Sequence, residues 1–126
     1  MPLIYQKWIM REDLRANPHV FYVFGDNLQR RGFKGQAAQM RGEPNAIGVP
    51  TKYRPSMAPE ALFYDHTEEA GLHISLGFNQ VSLQLNKGKL VVWPLDGIGT
   101  GLSKIPENAP KLWEWMEEKR LHFEQL

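Results

Sequence analysis

Short apolar runs alternate with amphipathic stretches along this chain, and each run ends in a polar or glycine-rich cluster. Residues 90–93, Leu-Val-Val-Trp, are apolar at every position, the pattern of a central strand covered on both faces. Residues 19–24, His-Val-Phe-Tyr-Val-Phe, combine aromatic and β-branched side chains and read as a second buried strand. Residues 46–50 read as a third strand, closed by Pro50. Residues 3–9 alternate weakly through Ile4, Tyr5 and Trp8 and read as a first strand suited to an edge.

Helical patterns lie between and after these runs. Residues 11–16 predict one or two turns, stopped at Asn17-Pro18 because a residue before proline is pushed out of the helical region. Residues 36–41 predict a short helix whose first N–H groups face an anion if one is present. Residues 53–64, with Pro55 and Pro59, read as an irregular crossing segment, and residues 65–69 as a helix start with carboxylates at its N-terminal end. Residues 72–86 alternate locally like a strand, but Leu72, Leu76, Val81 and Leu85 make a helical face, and helix is the reading adopted. Residues 104–119 predict a final helix capped by Asn108, with Leu112, Trp113, Trp115, Met116 and Leu121 as its apolar stripe and the tryptophans as core packing. Strand, helix and strand in succession predict an α/β domain spanning residues 1–126.

Composition narrows the chemistry. A net charge of +1 supplies no global field for a nucleic acid. No apolar run approaches the roughly 20 residues of a membrane helix, so no membrane partner is expected. The absence of cysteine removes disulfides, thiolate metal sites and cysteine nucleophiles; with no secretion pattern at the N-terminus, it fits the reducing cytoplasm. His19, His66, His73 and His122 share no metal-ligand spacing, and no serine sits in a Gly-x-Ser-x-Gly elbow. Neither a metal nor a cofactor is called for.

What remains is the set of clusters after the strands: Gly25-Asp26-Asn27, Thr51-Lys52, and residues 96–102 with Gly97, Gly99 and Gly101. If the strands are parallel neighbours, all three clusters share one rim, where ligands bind in open α/β sheets. Glycine loops free N–H groups for phosphate oxygens, and a carboxylate or amide suits ribose hydroxyls. The glycine spacing is not the dinucleotide fingerprint, and the loop lacks a P-loop lysine. Between Leu28 and Gly42 the chain has Arg30, Arg31, Lys34 and Arg41 and no acid, which fits an anionic ligand as well as a solvated basic loop.

Four segments in order resemble the macrodomain-like family of the small phage and bacterial kind: residues 23–28 (Val-Phe-Gly-Asp-Asn-Leu), 32–38 (Gly-Phe-Lys-Gly-Gln-Ala-Ala), 47–52 (Ile-Gly-Val-Pro-Thr-Lys) and 97–102 (Gly-Ile-Gly-Thr-Gly-Leu). The resemblance implies a compact three-layer α/β/α fold with a mixed, mostly parallel sheet, and binding of ADP-ribose or a related nucleotide diphosphate. It implies that Gly25, Asp26 and Asn27 lie by the adenine or distal ribose. Gly32, Phe33, Gly35 and Gln36 then form the first ligand loop, and Gly97, Ile98, Gly99, Thr100, Gly101 and Leu102 the diphosphate loop, with Thr51 beside them. In one hydrolase branch a lysine following such a threonine acts on the ribose, and Lys52 matches it; if this chain cleaves an ADP-ribosyl bond, Lys52 and Asp96, as general base, are the expected pair. Where that branch carries an aspartate after the loop, this chain has Ser103. That departure favours the alternative, a non-catalytic module that binds a nucleotide or a modified partner.

Overall fold

The apolar runs become four parallel strands. The computed structural model describes residues 3–32 and 35–126. Its strands β1 (Leu3–Gln6), β2 (Phe21–Asp26), β3 (Ala46–Pro50) and β4 (Val91–Pro94) form one sheet in the order β1-β4-β2-β3. All of its pairings are parallel, so the mixed sheet expected above is corrected. Among the described residues the antiparallel contact is a bridge between Lys52 and Leu62, outside the strands.

Parallel neighbours require crossovers. Helix α1 (Arg11–Ala16) leads from β1 to β2, α2 (Gly35–Met40) from β2 to β3, and α3 (Ala70–Asn86) from β3 back to β4. The first two steps cross the sheet in one direction and the third returns. Right-handed crossovers therefore put α1 and α2 on one face and α3 on the other. The core divides accordingly. Leu14 and Met40 pack with Tyr22, Phe24 and Val92, while Ile74, Phe78 and Val81 pack with Val23, Val91 and Trp93. Successive strand residues point to opposite faces, so both faces of β2 and β4 are filled. Strand β4 lies between β1 and β2 and is buried at every position, which is why its run has no polar member.

Helix α3 meets the sheet on a face that includes Val81 and Leu85 of the expected stripe but not Leu72 and Leu76. Its buried positions are Ala70, Ile74, Gly77, Phe78, Val81 and Leu85, whereas Leu72 and Leu76 are exposed. At Gly77 a Cβ would lie 3.0 Å from Val49 Cγ2 and 3.1 Å from Val49 Cα. The missing side chain lets the helix backbone settle directly on β3. Gly and Ala add little to an apolar count, so the true face is weakly signalled.

The final helix is two. Helix α4 (Ile105–Asn108) and helix α5 (Pro110–Gln125) are separated by Ala109, at φ −141° and ψ 66°. Ala109 precedes proline and is excluded from helical geometry for the same reason as Asn17. Asn108 is thus the last residue of α4, and no side chain of the local sequence caps α5. Asp65 does so from a distance: its carboxylate accepts from the backbone N–H of Lys111 at 3.1 Å and of Leu112 at 3.0 Å. Residues 65–69 are turns that precede α3 rather than its first turn. Leu121 is exposed, not part of the core stripe.

The buried Asn45, at the entrance to β3, ties α1 to β2. Its amide donates to the carbonyls of Leu14 (3.0 Å), Asn17 (3.0 Å) and Val20 (2.8 Å). Asn45→Ala removes these donors, leaving the Leu14 and Val20 carbonyls without them while Asn17 O keeps the Val20 N–H, and is expected to lower stability by about 2 kcal/mol. The check is urea unfolding, with a lower midpoint at an unchanged slope.

Candidate ligand site at the strand ends

Asp26 closes β2, and its backbone carbonyl accepts twice from Thr51: from the N–H at 2.9 Å and from Oγ1 at 3.0 Å. The one hydroxyl proton of Thr51 is thereby committed, so in its 2.7 Å contact with Ser103 Oγ the serine is the donor. A Cβ on Gly25 would lie 3.6 Å from the Thr51 side chain and 3.7 Å from Gly99 N. The ends of β2 and β3 and the loop after β4 therefore meet, as the rim argument expects. Thr51 and Ser103 are both buried; they hold the rim together and bond to each other.

Asp26, Asn27 and Gln36 also turn toward the chain. The Asp26 carboxylate is 1% exposed, with Arg41 Nη2 at 2.5 Å and Arg30 Nη1 at 3.5 Å. It also accepts from Asn27 N–H at 2.8 Å. Arg41 donates in addition to Gly32 O, and Arg30 to Gly48 O. Two of the basic residues read as an anion signal are thus counter-ions of Asp26. Asn27 is buried, its amide donating to Arg31 O and its Oδ1 accepting from Gln29 N–H. Gln36 exchanges two 2.7 Å hydrogen bonds with the backbone of Ile9 and joins α2 to the segment after β1. Gly35 is exposed at the start of α2. Phe33 and Lys34 lie outside the described residues.

The loop after β4 is different. Gly97 and Gly99 take φ of +94° and +80°, which a side chain would strain. A Cβ on Gly99 would sit 2.7 Å from Ile105 Cδ1, and one on Gly97 2.8 Å from Thr100 Cγ2. These glycines are explained first by conformation and packing. Ile98 between them is buried in the core, whereas Leu102 is half-exposed and nothing lies within 4 Å of a Cβ on Gly101. Thr100 Oγ1 donates to Asp96 O at 2.6 Å, and Gly97 N–H donates back to Pro94 O. From Ile98 to Ser103, no backbone N–H has an acceptor among the described residues.

The same loop walls a cavity of about 370 Å³. Trp113, Glu117 and Arg120 of α5 line it as well, with Tyr5 of β1 and Trp93 of β4. Arg120 donates to Tyr5 OH at 2.7 Å and to Glu117 at 2.8 Å, and Tyr5 donates to Glu124 at 2.9 Å. Burial pushes the Tyr5 phenol up against the lowering pull of Arg120, so it stays protonated. Burial alone would lower the Arg120 value, but its hydrogen bonds to Glu117 and Tyr5 raise it. The indole N–H of the buried Trp93 has no acceptor among the described residues. Sequence reasoning singles out none of Tyr5, Trp93, Trp113, Glu117 and Arg120 as lining a cavity. The spacing 113, 117, 120 is one helix face, and its mix of aromatic and charged residues was the available signal.

The expected catalytic pair is divided. Asp96 is exposed and lines the cavity; Lys52 does not line it. Lys52 is half-buried where the crossing segment begins, its Nζ 3.4 Å from Ser56 O and its carbonyl accepting from Leu28 N–H. The next residue, Tyr53, donates to Glu69. Among the described residues no cluster of His, Asp and Glu could hold a metal, and no helix is long and apolar enough to cross a membrane.

Residues 4–119 match the model of a family of unknown function, DUF7831. No curated protein and no solved structure matches the chain.

Two outcomes are expected from this geometry. Asp26→Asn leaves two guanidinium groups without their counter-charge and is expected to cost about 3 kcal/mol, read by thermal unfolding. The Glu69 carboxylate pushes the Tyr53 phenol from 10.0 up to about 12. Because the folded value is the higher, this contact's contribution is intact below pH 10 and is lost as pH rises toward 12. Tyrosinate absorbance against pH checks it, Tyr53→Phe removing the component near 12.

Proposed function

We propose that this chain, which belongs to the DUF7831 family, binds a nucleoside diphosphate of the ADP-ribose kind across the carboxyl ends of its strands. The diphosphate lies against residues 97–102 and the base enters the cavity beside Trp113. The observation that carries this reading is the run of backbone N–H groups from Ile98 to Ser103 with no acceptor among the described residues. Gly97 and Gly99, in the left-handed region on either side of Ile98, have the backbone alternation from which anion-binding concavities are built. The adjoining cavity adds support. Its volume falls within the usual range for small-molecule pockets, and Trp113 with Tyr5 supplies aromatic surface for a base. The macrodomain resemblance of the four segments points to the same ligand class.

Binding rather than turnover is the form of the proposal. The serine at the position of the hydrolase branch's aspartate bonds to Thr51, and Lys52 and Asp96 are not lined up on one cavity. Titration calorimetry with ADP-ribose, ADP and ribose 5-phosphate tests the reading. ADP-ribose is expected to bind most tightly, and Trp113→Ala to weaken it about tenfold, roughly the 1.4 kcal/mol of one aromatic contact. No heat at millimolar ADP-ribose overturns the proposal. Release of ribose products that Lys52→Ala abolishes would overturn its non-catalytic form.

A further inference from the structure

Helix α3 carries on its outer side a line of side chains that the fold does not use. Leu72, Leu76 and Leu83 are 63%, 59% and 44% exposed, and the exposed Asn79 stands between them. The steps of four, three and four residues put all of them on one narrow stripe of the helix, the spacing of a coiled-coil seam. Single exposed leucines are ordinary on protein surfaces. Three in register, on a 17-residue helix with no Asp, Glu, Lys or Arg, are not. Charge is confined to the helix ends: Glu68 and Glu69 precede it, and Lys87 and Lys89 follow it. Glu68 and Lys87 are both exposed.

We propose that this stripe is the contact between two copies of the chain, paired antiparallel through α3 about a two-fold axis. The axis passes between positions 77 and 78. It sets Leu72 against Leu83 of the second copy and Leu76 against its Asn79, twice over, as an isologous interface requires. The same register sets Glu68 against Lys87 of the second copy. Parallel pairing would instead oppose Glu68 to Glu68 and Lys87 to Lys87, so the charges select the antiparallel arrangement. Asn79 interrupts the apolar seam, the kind of polar position that fixes a register at some loss of affinity. A single helix of this length is about 25 Å long. Its contact falls short of the roughly 800 Å² per partner of a standard interface, so the dimer is a weak one with a dissociation constant of roughly 10–100 µM. This inference is independent of the ligand proposal.

Sedimentation velocity on the full chain, from low to several hundred micromolar, tests it. The expected result is a monomer that becomes a dimer with concentration. Leu76→Glu is expected to stay monomeric throughout with an unchanged thermal melt, since the position is exposed. Glu68→Lys should weaken dimerisation several-fold, and Glu68→Lys combined with Lys87→Glu should restore it. A chain monomeric at every concentration overturns the proposal, as does a dimer that survives Leu76→Glu. A double exchange that fails to restore pairing overturns the antiparallel register. A monomer that instead sediments with anionic lipid vesicles, and loses this with Leu76→Glu, assigns the stripe to a membrane surface and overturns the dimer.

Discussion

A carboxylate withdrawn from water is tolerable only when its charge is matched and its lone pairs are filled, and Asp26 meets that condition at the centre of the rim. Arg41 and Arg30 supply the charge, and the N–H of Asn27 supplies a further donor. The consequences spread outward from there. Arg41 reaches on to Gly32 O and Arg30 to Gly48 O, so the segment between β2 and α2 is drawn onto the ends of β2 and β3. The carbonyl of the same residue takes both donors of Thr51. Thr51 in turn accepts from Ser103 and fixes the loop that follows β4. One residue thus couples the ends of three strands, and the open part of the rim is whatever this network leaves over.

The fold was legible because its signal is redundant. A strand in a parallel sheet covered on both faces is a near-continuous apolar run, and the limits read for β2, β3 and β4 lie within a few residues of those observed. The short helix at residues 11–16 was equally plain, since Pro18 enforces its end. What could not be read was direction. A polar residue after a strand looks the same whether it faces a ligand or its own chain, and Asp26, Asn27, Thr51 and Gln36 all prove to face the chain. Leu72 and Leu76 of α3 mislead in the opposite sense: they lie on the outer side, while the inner face, with Val81 and Leu85, includes Ala70 and Gly77, which add little to an apolar count. Ala109 shows a third kind of miss. The proline rule that stopped α1 applies equally at Pro110 and divides the last helix.

The cavity escaped notice because its polar wall is assembled from the two ends of the chain. Tyr5 and Arg120 are 115 positions apart, and Tyr5 and Glu124 are 119 apart. Only the placement of β1 beside β4, with α5 across both, brings them together. Tyr5 pairs in register with Trp93, so the phenol and the indole stand on neighbouring strands beneath α5. None of these residues carries a local motif.

The loop after β4 joins the two halves of this account. Its glycines are required by backbone conformation and by the close approach of Ile105 and Thr100, which would hold in the absence of any ligand. Yet the loop leaves successive N–H groups without protein acceptors, and because Gly101 and Leu102 are exposed these donors are open to water or to a ligand. In this loop the same constraint that presses Gly99 onto Ile105 and ties Ser103 to Thr51 turns the intervening amides away from every carbonyl of the described chain. The packing demand and the donor array are therefore one feature seen from two sides: the rim is rigid where its side chains bond to one another, and open where its backbone does not.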